Sequence, residues 1–222
     1  MTTQSKAPAA DTLSAQQQAI LPIAAFAAAG DIAKLSTALN QGLDAGLTIS
    51  DAREVLVQLY AYAGFPRSLN ALTELMKALD ARKQRGIQDA PGREPSHSIP
   101  KGDTLRAAGM ANQTKLVGQP VQGPIFEFAP VIGEYLQAHL FGSIFERDNL
   151  DWQSRELATV GMLSALPGAE AQLQGHMAYG VNTGLTAKQM QQAVQVLDER
   201  VGPESGRRAS EALTNVLAAQ PR

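Results

Sequence analysis

Three histidines, His97, His139 and His176, are the side chains of this 222-residue chain whose ordinary pKa suits proton transfer near neutrality. Histidine can move a proton to or from a substrate atom at that pH, and arginine can hold a carboxylate through paired hydrogen bonds. The chain has no cysteine. That removes disulfides, thiolate metal sites, thiol peroxidase chemistry and cysteine nucleophiles together. The histidines are dispersed, and none stands in a His-Glu spacing with a third ligand, so no metal centre is expected. His97 lies in a polar stretch rich in Pro and Gly and reads as solvated. His139, in "YLQAHLFG", reads as structural or interfacial. His176 stands inside "AQLQGHMAYGVNTGLT" (171–186), a helix-like run that stops at Gly-Leu-Thr.

The elements that must position His176 occur twice. "AKLSTALNQGLDAGLT" (33–48) ends in the same way, with Ala38 at the histidine's place. A shift of 138 residues aligns 17–59 with 155–197 without a gap, placing Gly30 on Gly168, Leu35 on Leu173, Gly42 on Gly180 and Gly46-Leu47-Thr48 on Gly184-Leu185-Thr186. The matches sit at helix punctuation, where backbone geometry constrains the residue. Each copy reads as three helices. Gly46 and Gly184 suit the left-handed position after a helix. Thr48 and Thr186 suit N-caps, with Asp51 and Gln189 three residues on, as a capping box requires. In "AREVLVQLYAYAGFP", Val55, Leu56, Leu59 and Tyr62 recur at helical spacing, and Gly64 and Pro66 end the run. No segment alternates with period two, so the expected fold is all-α. The expected division is a first repeat over 13–80, a Pro/Gly-rich crossover over 81–124 and a second repeat over 125–217. Within the last, Phe128, Ile132, Tyr135, His139 and Leu140 return to helical periodicity.

Composition fits this reading. Apolar residues make up 44% and charged residues 18%, as in a globular chain long enough to bury a core. A net charge of −2 gives no electrostatic case for nucleic acid or an anionic membrane surface. No stretch reaches the roughly 18 apolar residues of a membrane span. "AILPIAAFAAAG" (19–30) has the look of a signal-peptide core, yet it follows 18 mostly polar residues with Lys6 as a weak basic region. A cytoplasmic location is expected, or a periplasmic one if a leader has been removed.

"LFGSIFERDNLDWQSRELATVGMLSAL" followed by "QLQGHMAYGVNTGLTAKQMQQAVQVL" resembles the carboxymuconolactone decarboxylase family, related to the AhpD alkylhydroperoxidases. Phe141-Gly142, Arg147, Leu150, Arg155-Glu156-Leu157, His176 and Gly184-Leu185-Thr186 carry the likeness. In the first copy, Tyr62-Ala63-Gly64-Phe65-Pro66 and Asn70 are similar to the family's C-terminal segment. The resemblance implies an AhpD-like helical fold assembled as rings, a homo-oligomer of trimer or hexamer type, and a small-molecule substrate. It places Glu156 and His176 at the family's glutamate and histidine positions. The Cys-x-x-Cys pair of the peroxidase branch is missing, which favours the decarboxylase branch: a lyase acting without cofactor on a small carboxylated lactone or related organic acid. By motif, Arg155 and Arg147 are the candidates for holding a substrate carboxylate, and Tyr60, Tyr62 and Phe65 of copy one for a pocket wall. Gln18 and Ala38 stand at the equivalents of Glu156 and His176, so such a site exists once per chain. A non-catalytic small-molecule-binding or assembly member of the family is the alternative.

In such a decarboxylation the lactone carbonyl accepts the electron pair left when CO2 departs, and a histidine stabilises the enolate and returns a proton to carbon. If 152–166 and 170–183 form an antiparallel hairpin, Glu156 and His176 differ by roughly 6 Å along its axis at about 1.5 Å rise per residue. Direct contact then needs tilt; a bridging water or substrate serves equally. Each residue also has a plainer reading. Glu156 can be a helix-start charge meeting the dipole, His176 a hydrogen-bonded helix residue, Arg155 half of a surface ion pair and Trp152 a core or interface anchor.

Overall fold

A computed structural model describes residues 11–219; Lys6 and the rest of the first ten residues lie outside it. Copy one contributes α1 (Ala15–Ala29), α2 (Ile32–Asp44), α3 (Ile49–Gln58) and α4 (Tyr60–Gln84). A connecting region follows with α5 (Gly102–Val117), α6 (Pro124–Phe128), α7 (Pro130–Tyr135) and a π-helix (Leu136–Ile144). Copy two contributes α8 (Trp152–Ser164), α9 (Glu170–Asn182), α10 (Ala187–Arg200) and α11 (Pro203–Ala219). The described residues are all-helical and contain no strand.

Local chemistry sets the helix ends where the repeat placed them. The Thr48 and Thr186 hydroxyls accept from the backbone N–H of Asp51 and Gln189, whose side chains accept from the cap backbone in return. Gly46 (φ 89°) and Gly184 (φ 100°) occupy the left-handed region after α2 and α9, which a Cβ disfavours. The repeat also runs further than three helices. Gly64, at φ 81°, breaks α4 after its first turn, and the chain restarts through Pro66. Its counterpart 138 residues on is Gly202, at φ 144°, before Pro203. Ala71, Leu75 and Ala78 then match Ala209, Leu213 and Val216, all buried.

The centre of the molecule is the crossing of α1 and α8. A helix apolar all round must be buried, and α1 buries every residue from Ala19 to Ala28, α8 every residue from Ser154 to Ser164. The run that looked like a signal-peptide core is therefore the middle of the fold. A Cβ on Gly161 would stand 2.7 Å from the Leu21 carbonyl oxygen, so only glycine permits this approach. One apolar core spans both copies. No helix among the described residues is long and apolar enough to cross a membrane.

The copies also reach into each other. From copy one, Gln58 donates to Thr159 (2.7 Å) and to the Arg155 carbonyl (3.0 Å). From copy two, Gln192 accepts from the Leu13 N–H (2.7 Å), and Arg200 donates to Gln18 (3.4 Å). Part of the segment after α4 is pinned as a strap. The Ala90 and Pro91 carbonyls take the first free N–H groups of α3, from Ile49 (2.9 Å) and Ser50 (3.0 Å), and Asp148 accepts from Ser96. The π-helix packs on α5 where Gly109 lies against the Gln137 carbonyl. There Leu116, Leu140, Phe141, Ile144 and Phe145 form a second cluster against Tyr60 and Tyr62 of copy one and Trp152 and Tyr179 of copy two. The periodic residues before it remain outside: Phe128 is 88% exposed, and Ile132 and Tyr135 are exposed too.

Candidate functional site

Asp151 caps α8 by accepting from the Ser154 N–H, and four residues into the helix α8 presents Glu156 toward α9. His176 lies midway along α9 on the facing side. The two side chains meet directly: His176 Nδ1 is 2.7 Å from Glu156 Oε2. Glu156 has no exposure and His176 only 7%, so Glu156 is not a solvated helix-start charge. A carboxylate on Nδ1 fixes the tautomer with Nδ1–H donating and leaves Nε2 to exchange a proton with a substrate.

Two rings enclose the imidazole edge-on. Tyr179, three residues further along α9, lies 5.0 Å away, and Tyr62, from the first turn of α4, 5.5 Å away. The Gly64 break ends that turn two residues after Tyr62. Glu156 Oε1 is buried without a hydrogen-bond partner, and the Tyr62 hydroxyl, also buried, lies near the Thr159 hydroxyl. Burial, and next the Glu156 charge, push the Tyr62 phenol far above its ordinary value, so it stays a neutral donor. Burial followed by the Glu156 charge raises Tyr179 in the same way. A buried phenol donor and an unsatisfied buried carboxylate oxygen stand beside a histidine oriented by that carboxylate. Such an oxygen is costly to leave unpaired, and a water or a polar substrate atom would satisfy it.

The arginines are placed for another task. Arg155 has no exposure; its Nη2 bonds Glu54 (3.1 Å) and the Arg147 carbonyl (2.7 Å), and its Nη1 reaches Gln58 (3.3 Å). Arg147 grips the same Glu54 through Nε (2.9 Å) and Nη2 (2.5 Å). Neither guanidinium is laid out for a substrate carboxylate, because Glu54 already holds that place on both. Nor is Arg155 in a surface ion pair. Burial would push the Glu54 carboxyl up; the Arg147 hydrogen bonds, the nearby Asn149 amide and the Arg155 charge outweigh it and hold Glu54 at about 2. Arg155 itself is lowered by burial against the pull of Glu54.

Glu54 and Gln58 are the residues that the sequence reading passed over. Their signal was a pair of polar residues at i and i+4 in an otherwise apolar run, which puts both on one stripe of α3. Tyr60 and Phe65 stack on each other, with centroids 4.7 Å apart and Phe65 largely exposed. Tyr60 borders a cavity of about 490 Å3 with Ala61, Ile132, Tyr135, Leu136, His139 and Leu140. Tyr60, Leu136 and Leu140 also share the second apolar cluster with Tyr62 and Tyr179, the rings that flank His176. Neither His176 nor Glu156 borders that cavity. His139 meets Tyr135 edge-on there, His97 is about half exposed, and Trp152 donates to the Phe145 carbonyl (3.4 Å) under the Lys115 ammonium. No group of three or more His, Asp or Glu among the described residues could hold a metal ion.

No family model matches the chain, and no curated protein matches it.

Proposed function

We infer that the chain is a general acid–base enzyme acting without cofactor, of the kind its resemblance to carboxymuconolactone decarboxylase implies. Its substrate is a small carboxylated lactone or related organic acid. The observation that carries the reading is the buried 2.7 Å contact between His176 and Glu156, with the Tyr62 ring edge-on to the imidazole. His176 is the proton carrier. Glu156 orients it and stabilises the imidazolium that forms. Tyr62 is the hydrogen-bond donor for a developing enolate oxygen. The substrate's carboxyl proton passes to His176 Nε2, the bond to the departing CO2 breaks, its electron pair moves into the conjugated carbonyl, and Nε2 returns that proton to carbon. The substrate's route in is the cavity beside Tyr60 and His139, with Tyr62 and Tyr179 yielding. Arg155 and Arg147 hold the site's frame through Glu54 and leave the substrate alone.

The exposed apolar residues Ile125, Phe128, Val131, Ile132 and Tyr135 support the homo-oligomer, trimer or hexamer, that the resemblance implies. One observation favours the non-catalytic alternative: His176 and Glu156 line none of the described cavities.

Turnover of a panel of small unsaturated lactone carboxylates tests the reading. The His176→Ala chain should fold and lose about 10^2- to 10^4-fold in kcat, and Glu156→Gln should lose activity through the wrong tautomer. Full turnover by a folded His176→Ala variant would remove His176 from the chemistry. No turnover of any panel member by the unaltered chain would favour the non-catalytic alternative.

A further inference from the structure

The 138-residue shift carries the His176 site onto a second place in the molecule. His176 maps to Ala38, Tyr179 to Gln41, Tyr62 to Arg200 and Glu156 to Gln18. In copy two, three rings fill the space above α8. In copy one a methyl group, an amide and a guanidinium stand there instead, and the rings' volume is missing. The result is a cavity of about 510 Å3 bordered by Phe26, Lys34, Thr37, Ala38, Gln41 and Arg200 among others. Its floor is apolar, with Phe26 8% and Ala38 4% exposed.

Its rim is cationic. Arg200 has one hydrogen-bond partner, the neutral Gln18 side chain, and no acid within ion-pair distance among the described residues. Lys34 lies 5.6 Å above the Phe26 ring and pairs loosely with Asp31 at 3.4 Å. Two cations against one acid leave the rim with one uncompensated positive charge, on Arg200. Thr37 and Gln41 add neutral polar groups beside it.

We propose that this groove binds a small organic carboxylate with a flat apolar body. The carboxylate pairs with Arg200, aided by Lys34, and the body lies on Phe26 and Ala38. The degenerate copy is then a second ligand site with its own chemistry: the cation Arg200 where copy two's site has Tyr62, and neutral Gln18 and Ala38 in place of its carboxylate and histidine. It requires no activity at His176.

Titration of the full chain with sodium benzoate, followed by amide chemical shifts and calorimetry, tests this. Binding is expected with a Kd on the order of a millimolar, with shifts centred on Phe26, Thr37 and Gln41. Arg200→Gln should weaken it at least tenfold. Benzyl alcohol, lacking the charge, and inorganic phosphate, lacking the apolar body, should each bind at least tenfold more weakly than benzoate. Shifts centred on His176 and Tyr179, unchanged affinity in Arg200→Gln, phosphate or the alcohol binding as well as benzoate, or no saturation by 50-fold above that concentration would each overturn the proposal.

Discussion

Where copy two sets His176 between Tyr62 and Tyr179, copy one sets Ala38 between Arg200 and Gln41, with Ala38 and His176 on α2 and α9, which begin and end at matching residues. The frame tolerates both. What differs is which copy's polar residues are buried. Copy two buries Arg155, Glu156, Thr159 and His176; at the matching places copy one has Gln17, Gln18, Leu21 and Ala38, the last two buried and apolar. The buried Arg155 of copy two is balanced from outside it, by Glu54 on α3 of copy one. Copy one is thus more than a spacer: it supplies the counter-ion beneath the candidate site and the tyrosine beside it.

Removing that counter-ion should break the comparison most severely. Glu54→Gln leaves Arg155 buried without its carboxylate, and a loss of about 3–5 kcal/mol is expected in denaturant unfolding. The matching change in copy two, Gln192→Ala, removes a neutral hydrogen bond to Leu13 and should cost about 1 kcal/mol. Acid offers a reading on the same group. Glu54 sits at about 2 when folded, below its ordinary value near 4.3. Its contribution is therefore complete above that ordinary value and is lost as pH falls from there toward 2. The unaltered chain should lose thermal stability across that window, and Glu54→Gln should lose less there.

A smaller effect is expected at the crossing. Gly161→Ala puts a Cβ against the Leu21 carbonyl, which is backbone and cannot swing away; about 1–3 kcal/mol should be lost. The matching position in copy one already carries Ile23, fully buried, so the crossing is not symmetric in its side chains. The smallest effects test equivalence. Thr48→Ala and Thr186→Ala each remove one capping box and should each cost about 1 kcal/mol. Unequal losses in equilibrium unfolding would show that the strap over Ile49 and Ser50 carries part of the copy-one cap.

The all-helical fold and the punctuation of three helices per copy were legible because glycine at positive φ and threonine at an N-cap are demanded by the backbone. Contacts that depend on tilt were not. The axial offset of Glu156 and His176 left a water or a direct contact equally open, and only the crossing of α8 and α9 decides it. Glu54 was missed because a glutamate within a helix ordinarily faces water, and its arginine partners lie 93 and 101 residues away. The fourth helix of each copy escaped because its matches, such as Ala71 with Ala209 and Leu75 with Leu213, are alanines and leucines common in any helix, and Phe65 of one copy faces Pro203 of the other. Helix α5 sits in a stretch that composition marked as crossover, and the π-helix gives no signal in residue type.

The α1–α8 crossing also bears on how the chain reaches this shape. Leu21 and Gly161 meet although 140 residues (161 − 21) separate them in sequence, whereas the contacts within each copy are mostly between neighbouring helices. Loop-closure entropy makes such a distant meeting slow to form. Each copy can assemble its own hairpins early, yet α1, apolar on every side, and α8 complete their burial only when they find each other. The centre of the molecule is then the last part to be built, and an interrupted chain carrying copy one alone would present α1 as a sticky surface to its neighbours.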